Sequence, residues 1–238
     1  ILLLIFSGIV SAGIEEDLKE ALPQSWFEGY ETAAQLDIES FQQSPFLKEK
    51  VEQGEIPTVS ERLPADPPVI KPIEVGEYGG TQTILNTQLS TNNWDPGSLM
   101  KANFFRASPT GKKVKPFLAK GYQFSDNATE FTLYLREGMK WSDGNDFNAD
   151  DIMYWWEAEA NNKDINPVAP ENWTPVGWEK VEKIDDYTVK IYFEEPNPLF
   201  VKDLRNNLTQ VIGSWPPAPG TPSHYLKQYH PEFTEDKE

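Results

Sequence analysis

Residues 136–159 read REGMKWSDGNDFNADDIMYWWEAE, which crowds the carboxylates of Asp143, Asp146, Asp150, Asp151, Glu157 and Glu159 around Trp141, Trp155 and Trp156. Such a stretch admits three chemistries: a paired-carboxylate hydrolase, a calcium loop, or an aromatic platform for sugar. A calcium loop needs oxygen ligands at its first, third and fifth positions and glycine at the sixth. Counted from Asp143, Asn145 fits the third position, but Phe147 stands at the fifth and Asn148 at the sixth. The cation reading fails. A hydrolase needs two carboxylates free to face one cleft, whereas each aspartate here already has a local use. Asp143-Gly144 is a turn signal, and Asn148 with Asp151 matches the reciprocal capping pattern of a helix start, with Asp in place of Glu. Asp150 and Asp151 would then sit by the positive end of the helix dipole. Ile152, Trp155, Trp156 and Ala160 recur at helical spacing, as core residues do. The stretch reads as scaffold, and no catalytic residue is expected in it.

Nothing elsewhere suggests catalysis. His224 and His230 stand six apart with no third zinc ligand in view, and there is no phosphate loop or nucleophile elbow. With no cysteine, disulfides, zinc-thiolate and iron–sulfur sites are absent. No metal and no cofactor is expected. The Asn-x-Thr triplets at Asn127, Asn172 and Asn207 would matter only in a eukaryotic secretory route.

The elements that must hold these residues are legible in places. EFTLYLREG alternates, with Phe131, Leu133 and Leu135 on one face, as in a half-buried strand. Residues 178–193 form a hairpin candidate turning at Asp185-Asp186, with Tyr187, Val189, Ile191 and Phe193 on one face. FLKEKVEQGEIP predicts a short helix stopped by Gly54 and Pro57. From Pro57 to Pro72, repeated prolines predict a stiff, extended arm, and EYGGTQTILNTQ a strand start. SHYLKQYHPEF opens a final helix.

The chain has 238 residues and a net charge of −17, which disfavours nucleic acid and anionic membranes and favours a monomer kept apart by self-repulsion. ILLLIFSGIVSAG, at residues 1–13, has the apolar core and small-residue end of a secretory signal with a cleavage point after Ala12. No cysteine follows it, so a freely diffusing periplasmic protein is expected rather than a lipid-anchored one. Eight tryptophans and nine tyrosines are a heavy aromatic load. Trp94, Trp173 and Trp215 lie in Asn- and Pro-rich loop contexts, where aromatic rings can stack on sugars or peptide side chains.

Three segments taken together, FTLYLREGMKWSDGNDFNADDIMYWWE, VEKIDDYTVKIYFEEPNPLF and PSHYLKQYHPEF, resemble the extracellular solute-binding proteins of family 5. The matching features are Leu135-Arg136, the turn Trp141–Gly144, Ala149–Asp151, Asp185–Val189 and Pro196. Upstream, GEIPTVSERLPADPPVIKPIEVGEYGGTQ resembles the lead-in of one branch of that family, so the likeness runs from about residue 46 to 233.

The resemblance implies an α/β, type II periplasmic binding protein-like fold. It implies the first lobe plus an inserted small mixed α/β domain, with the second lobe missing. The expected division is a signal remnant at 1–12, a helical and Pro-rich lead-in at 13–75, and a partial solute-binding domain at 76–238. The resemblance also implies a non-enzymatic receptor that binds peptides or similar extended oligomers and docks to the permease subunits of an ABC importer. It places Thr91, Asn92 and Asn93 at the cleft, ahead of Trp94-Asp95-Pro96, where Trp replaces the family's Leu. With Trp173 and Trp215 they make up the expected ligand-binding set. Three other readings stand beside this one: an oligosaccharide receptor of the same family, a secreted glycoside hydrolase, and a freestanding adhesion module.

Overall fold

A computed structural model describes residues 31–70, 75–81, 102–107, 113–164, 177–204 and 219–234. Its centre is a four-stranded antiparallel sheet in the order β5-β6-β8-β7, with β5 at Ala119–Phe124, β6 at Glu130–Leu135, β7 at Trp178–Asp185 and β8 at Thr188–Phe193. Strand β6 alternates as its sequence predicts, burying Phe131, Leu133 and Leu135, and β8 does the same with Val189, Ile191 and Phe193. Phe131 faces Ile191 and Leu133 faces Val189 across the ladder, so one face of the sheet is a continuous apolar surface. The hairpin turns one residue later than predicted. Asp185 ends β7 opposite Thr188, and its Oδ1 accepts the Tyr187 N–H at 2.8 Å, leaving Asp186 and Tyr187 in the turn.

The apolar face is covered by helix α3, Ala149–Tyr154. Its start is fixed as the sequence predicts: Asn148 Oδ1 accepts the Asp150 N–H at 2.8 Å, and Asp151 Oδ2 accepts the Asn148 N–H at 3.2 Å. The Ala149 N–H also donates to Asp186 O at 2.9 Å, which ties the helix start to the β7–β8 turn. Beyond Tyr154 the predicted α-helix does not continue; residues Trp155–Ala160 wind as a π-helix. Trp155 is buried in the core, but Trp156, expected there too, is only half-buried and stacks on Trp178 with ring centroids 5.7 Å apart. The wider π turn rotates successive side chains less than an α turn does, which carries Trp156 toward the core's edge.

Two short strands, β3 (Phe105–Ala107) and β4 (Val114–Pro116), pair antiparallel beside β5. Both edge strands of the central sheet carry bulges, near Ala119/Gly121 in β5 and at two places in β7. Bulges blunt an edge against adventitious strand pairing.

The lead-in departs from its prediction. Helix α1, Pro45–Glu52, forms as expected, capped by Ser44 and followed by Gly54 at φ +73°. The Pro57–Pro72 arm, however, is not uniformly extended. Thr58 and Glu61 form a capping box that opens a helical turn, α2, at Val59–Arg62. The prolines flank this turn rather than interrupt it, so they do not oppose it. Downstream, β2 (Pro68–Val69) pairs with β1 (Glu31–Thr32). The arm is then seated on the sheet: Ala65 N–H donates to Glu137 O at 3.0 Å, and the buried Arg136 donates from Nε to Phe117 O and from Nη1 to Asp66 O. The predicted strand start falls mostly outside the described residues, and residues 75–81 carry no strand. Among the described residues, no helix is long and apolar enough to cross a membrane.

Candidate functional site

The aspartates of the acidic, tryptophan-rich stretch are all engaged in intramolecular contacts. Asp151, 1% exposed, is its hub. Besides closing the capping box, Oδ2 accepts the Trp141 indole N–H at 3.0 Å, and Oδ1 accepts the Ser223 backbone N–H at 2.9 Å. One carboxylate thus joins the turn before α3, the helix itself, and the segment that opens helix α4 (Ser223–Leu226). Charge-assisted bonds of this kind are roughly twice as strong as neutral ones, which explains why a buried charge is tolerated here. Asp150 and Asp146 are each held by a lysine, Lys183 at 2.8 Å and Lys140 at 2.6 Å.

Asp143 serves the turn and the C-terminal segment together. Its Oδ1 accepts the Asn145 N–H at 3.0 Å, and its Oδ2 lies 2.6 Å from His224 Nε2. The His224 bond, then the Asn145 N–H, hold the Asp143 carboxyl down at about 2. The contact stabilises the folded chain fully above the ordinary carboxylate range and is lost as pH falls from about 4 toward 2. Carboxyl-carbon NMR is expected to place the Asp143 midpoint near 2, and His224→Ala to move it back toward about 4. An unchanged midpoint in that variant would show that the histidine does not set it.

Glu159, on the π-helix, is 8% exposed, and burial raises its carboxyl above the usual range. The Thr221 hydroxyl reaches it at 3.4 Å. Tyr154 beside it has its phenol pushed up to about 12, by burial and then by Glu159. Among the described residues, no group of three or more His, Asp or Glu could hold a metal ion.

The face of the sheet opposite α3 carries an open groove of about 470 Å³, lined in part by Gln123, Glu130, Thr132, Tyr134, Thr188 and Lys190. Its polar groups answer one another across strands: Lys190 Nζ meets Glu130 Oε2 at 3.0 Å, and the Tyr134 hydroxyl donates to Gln123 Oε1 at 3.2 Å. This is the solvated face of a one-sided antiparallel sheet.

The expected ligand-binding residues, Thr91, Asn92, Asn93, Trp94, Trp173 and Trp215, all lie outside the described residues. What sequence reasoning missed is the use of both histidines. His224 finds Asp143 and His230 finds Ala158, over separations of 81 and 72 residues, and no local pattern announces either.

Comparison with known proteins places this architecture. Residues 113–237 match the family model described as bacterial extracellular solute-binding proteins, family 5 Middle. The chain is 29% identical over 220 residues to a periplasmic alpha-galactoside-binding protein of Rhizobium meliloti, covering 82% of this chain and 30% of that protein. It superimposes on the oligopeptide-binding protein OppA with a TM-score of 0.70 at 36% identity, covering 82% of this chain and 29% of OppA. It superimposes on the periplasmic binding protein MelB of Agrobacterium fabrum, solved with stachyose, with a TM-score of 0.61 at 27% identity, covering 84% and 32% respectively. The chain therefore spans about 30% of the length of each of these three proteins.

Proposed function

The chain belongs to the bacterial extracellular solute-binding proteins, family 5, and on that footing we propose that it is part of a periplasmic receptor that captures an extended oligomer for an ABC importer. The match over the sheet-and-helix unit carries this reading, together with likeness to part of a type II periplasmic binding fold. The acidic stretch supports a receptor over a hydrolase, because its aspartates are bound to backbone, lysine and histidine partners rather than facing one open cleft. In such a receptor, solute would be enclosed between lobes and the closed form presented to the permease. Closure is driven only by solute that binds the closed state more tightly.

Peptide is the first reading of the solute. Main-chain hydrogen bonds give affinity without regard to sequence, while hydrated pockets tolerate varied side chains. The oligosaccharide reading has its own support: the alpha-galactoside-binding relative aligns over most of this chain, and the MelB structure was solved with stachyose. In either case Thr91, Asn92, Asn93, Trp94, Trp173 and Trp215 are the proposed contacts.

Titrating the full-length protein calorimetrically with a peptide panel and with stachyose separates the two. One panel is expected to give saturable heat, with no product formed on prolonged incubation. If the solute is a sugar, Trp94→Ala and Trp215→Ala should each weaken it roughly two- to tenfold, the worth of a stacked aromatic contact. Heat from neither panel would reject the oligomer reading, and turnover of either would reject the receptor.

A further inference from the structure

Charge is not spread evenly along this chain. Between Asp95 and Asp126 stand six of its 21 lysines and arginines, Lys101, Arg106, Lys112, Lys113, Lys115 and Lys120, and none of its 38 acids. In a chain of net charge −17 this run is a local reversal of sign. Its described part builds the β3–β4 ribbon and the edge strand β5.

Arg106, on β3, is exposed, and its guanidinium carbon lies over the Phe117 ring, 3.8 Å from the centroid. Among the described residues it meets no carboxylate and no other hydrogen-bond acceptor. Stacking fixes the plane of the group and uses none of its five N–H donors. The platform beneath it is itself held at both polar atoms. The Phe117 N–H donates to Phe104 O at 3.0 Å, and Phe117 O accepts from Arg136 Nε at 2.8 Å. A guanidinium held in this way loses little freedom on receiving a carboxylate and offers it a planar fork.

Lys120, on β5, is exposed too and forms no ion pair among the described residues. Asp66 feels its charge without pairing with it, and Asp66 Oδ1 is taken by the Ala34 N–H at 3.0 Å. Lys113, just before β4, is likewise exposed. Because Ala107 faces Val114, Lys113 stands two residues along the ribbon from Arg106, roughly 7 Å at strand rise. Alternate side chains of an extended segment have the same spacing. A single small anion would engage one of these charges and leave the others unused. A flat anionic membrane would also meet the acidic surface that flanks the ribbon. A narrow segment meets little besides the ribbon, since charges act over only about 8 Å at physiological salt.

We propose that the β3–β4 ribbon and the neighbouring end of β5 form a docking surface for an extended acidic segment of a partner protein, anchored by the stacked Arg106. The surface is separate from the solute contacts proposed above.

Anisotropy of a labelled peptide of alternating Glu and Ser, titrated with the full-length protein at about 0.15 M salt, tests this. Saturable binding is expected, weakened about fivefold by Arg106→Ala and about twofold by Lys120→Ala, and weakened further as salt rises. Arg106→Lys keeps the charge without the fork and should fall between the natural protein and the alanine variant. Lys183→Ala removes a lysine already paired with Asp150 and Asp186, and should leave the affinity unchanged. If Arg106→Ala fails to fold, Arg106→Lys and Lys120→Ala carry the same comparison. No binding of this peptide, equal binding of a Lys–Ser peptide, or equal affinity in both Arg106 variants overturns the surface. Displacement of the peptide by an equal concentration of inorganic phosphate overturns it in favour of a single-anion site, and tighter binding to phosphatidylglycerol vesicles in favour of a membrane contact. Loss of solute heat in Arg106→Ala overturns it by assigning the residue to the solute site.

Discussion

Replacing Asp151 by alanine is expected to lower the stability of the folded chain by about 4 kcal/mol, from the loss of charge-assisted hydrogen bonds worth about 1.5–3 kcal/mol each before relaxation. The carboxylate is buried and accepts from the Trp141 indole, the Asn148 backbone and the Ser223 backbone at 2.9–3.2 Å. Alanine leaves all three donors without this partner, the Ser223 N–H in a buried site and the other two in part-buried ones. Such a loss is a large fraction of the roughly 5–15 kcal/mol that a domain commands. Asp151→Asn should fall between, since one oxygen is kept while the new NH₂ group opposes donors. Equilibrium denaturation gives the total. Amide exchange at Ser223 separates loss of the C-terminal clamp from loss of the helix start, and protection unchanged at Ser223 would refute the clamp.

Arg136→Ala is the second large effect, about 3 kcal/mol, and acts where the arm meets the sheet. The guanidinium is 5% exposed and reaches Phe117 O at 2.8 Å and Asp66 O at 3.1 Å. Burial lowers its affinity for the proton, and the Asp66 carboxylate opposes that shift, so charge and geometry are matched to the site. Alanine strands two carbonyls and removes the main side-chain link between the arm and the sheet. The neighbouring Ala65–Glu137 backbone bond stays, so the arm should loosen rather than detach. Lysine should recover less than half of the loss, because an ammonium lacks the planar fork that spans both carbonyls. Exchange of the Ala34 amide, bonded to Asp66 Oδ1 at 3.0 Å, reports on the arm locally. A denaturation midpoint that does not move in the alanine variant would contradict this account.

The family was legible because its signature is carried by local elements. The alternation of β6 and the Asn148–Asp151 capping box lie where the residues put them, and the β7–β8 hairpin turns within one residue of its predicted place. Each rests on interactions only a few residues apart, which leave a period or a spacing in the chain. The arm was misread for a related reason: prolines at its ends outweighed a capping pair inside it, although Thr58 and Glu61 were present to be counted. The π-helix left no signal, because Trp155, Trp156 and Ala160 suit an α-helix equally well.

By itself the sequence determined that the acidic, tryptophan-rich stretch is scaffold, which residues of β6 and β8 face inward, and to which family of receptors the chain belongs. Only the tertiary structure decided what that scaffold holds. Asp151 reaches Ser223 over 72 residues, Arg136 reaches Asp66 over 70, and Asp143 reaches His224 over 81. The strand order β5-β6-β8-β7 was settled at the same level. Contacts between segments so far apart depend on the folded path of everything between them, and no periodicity in the chain records that path.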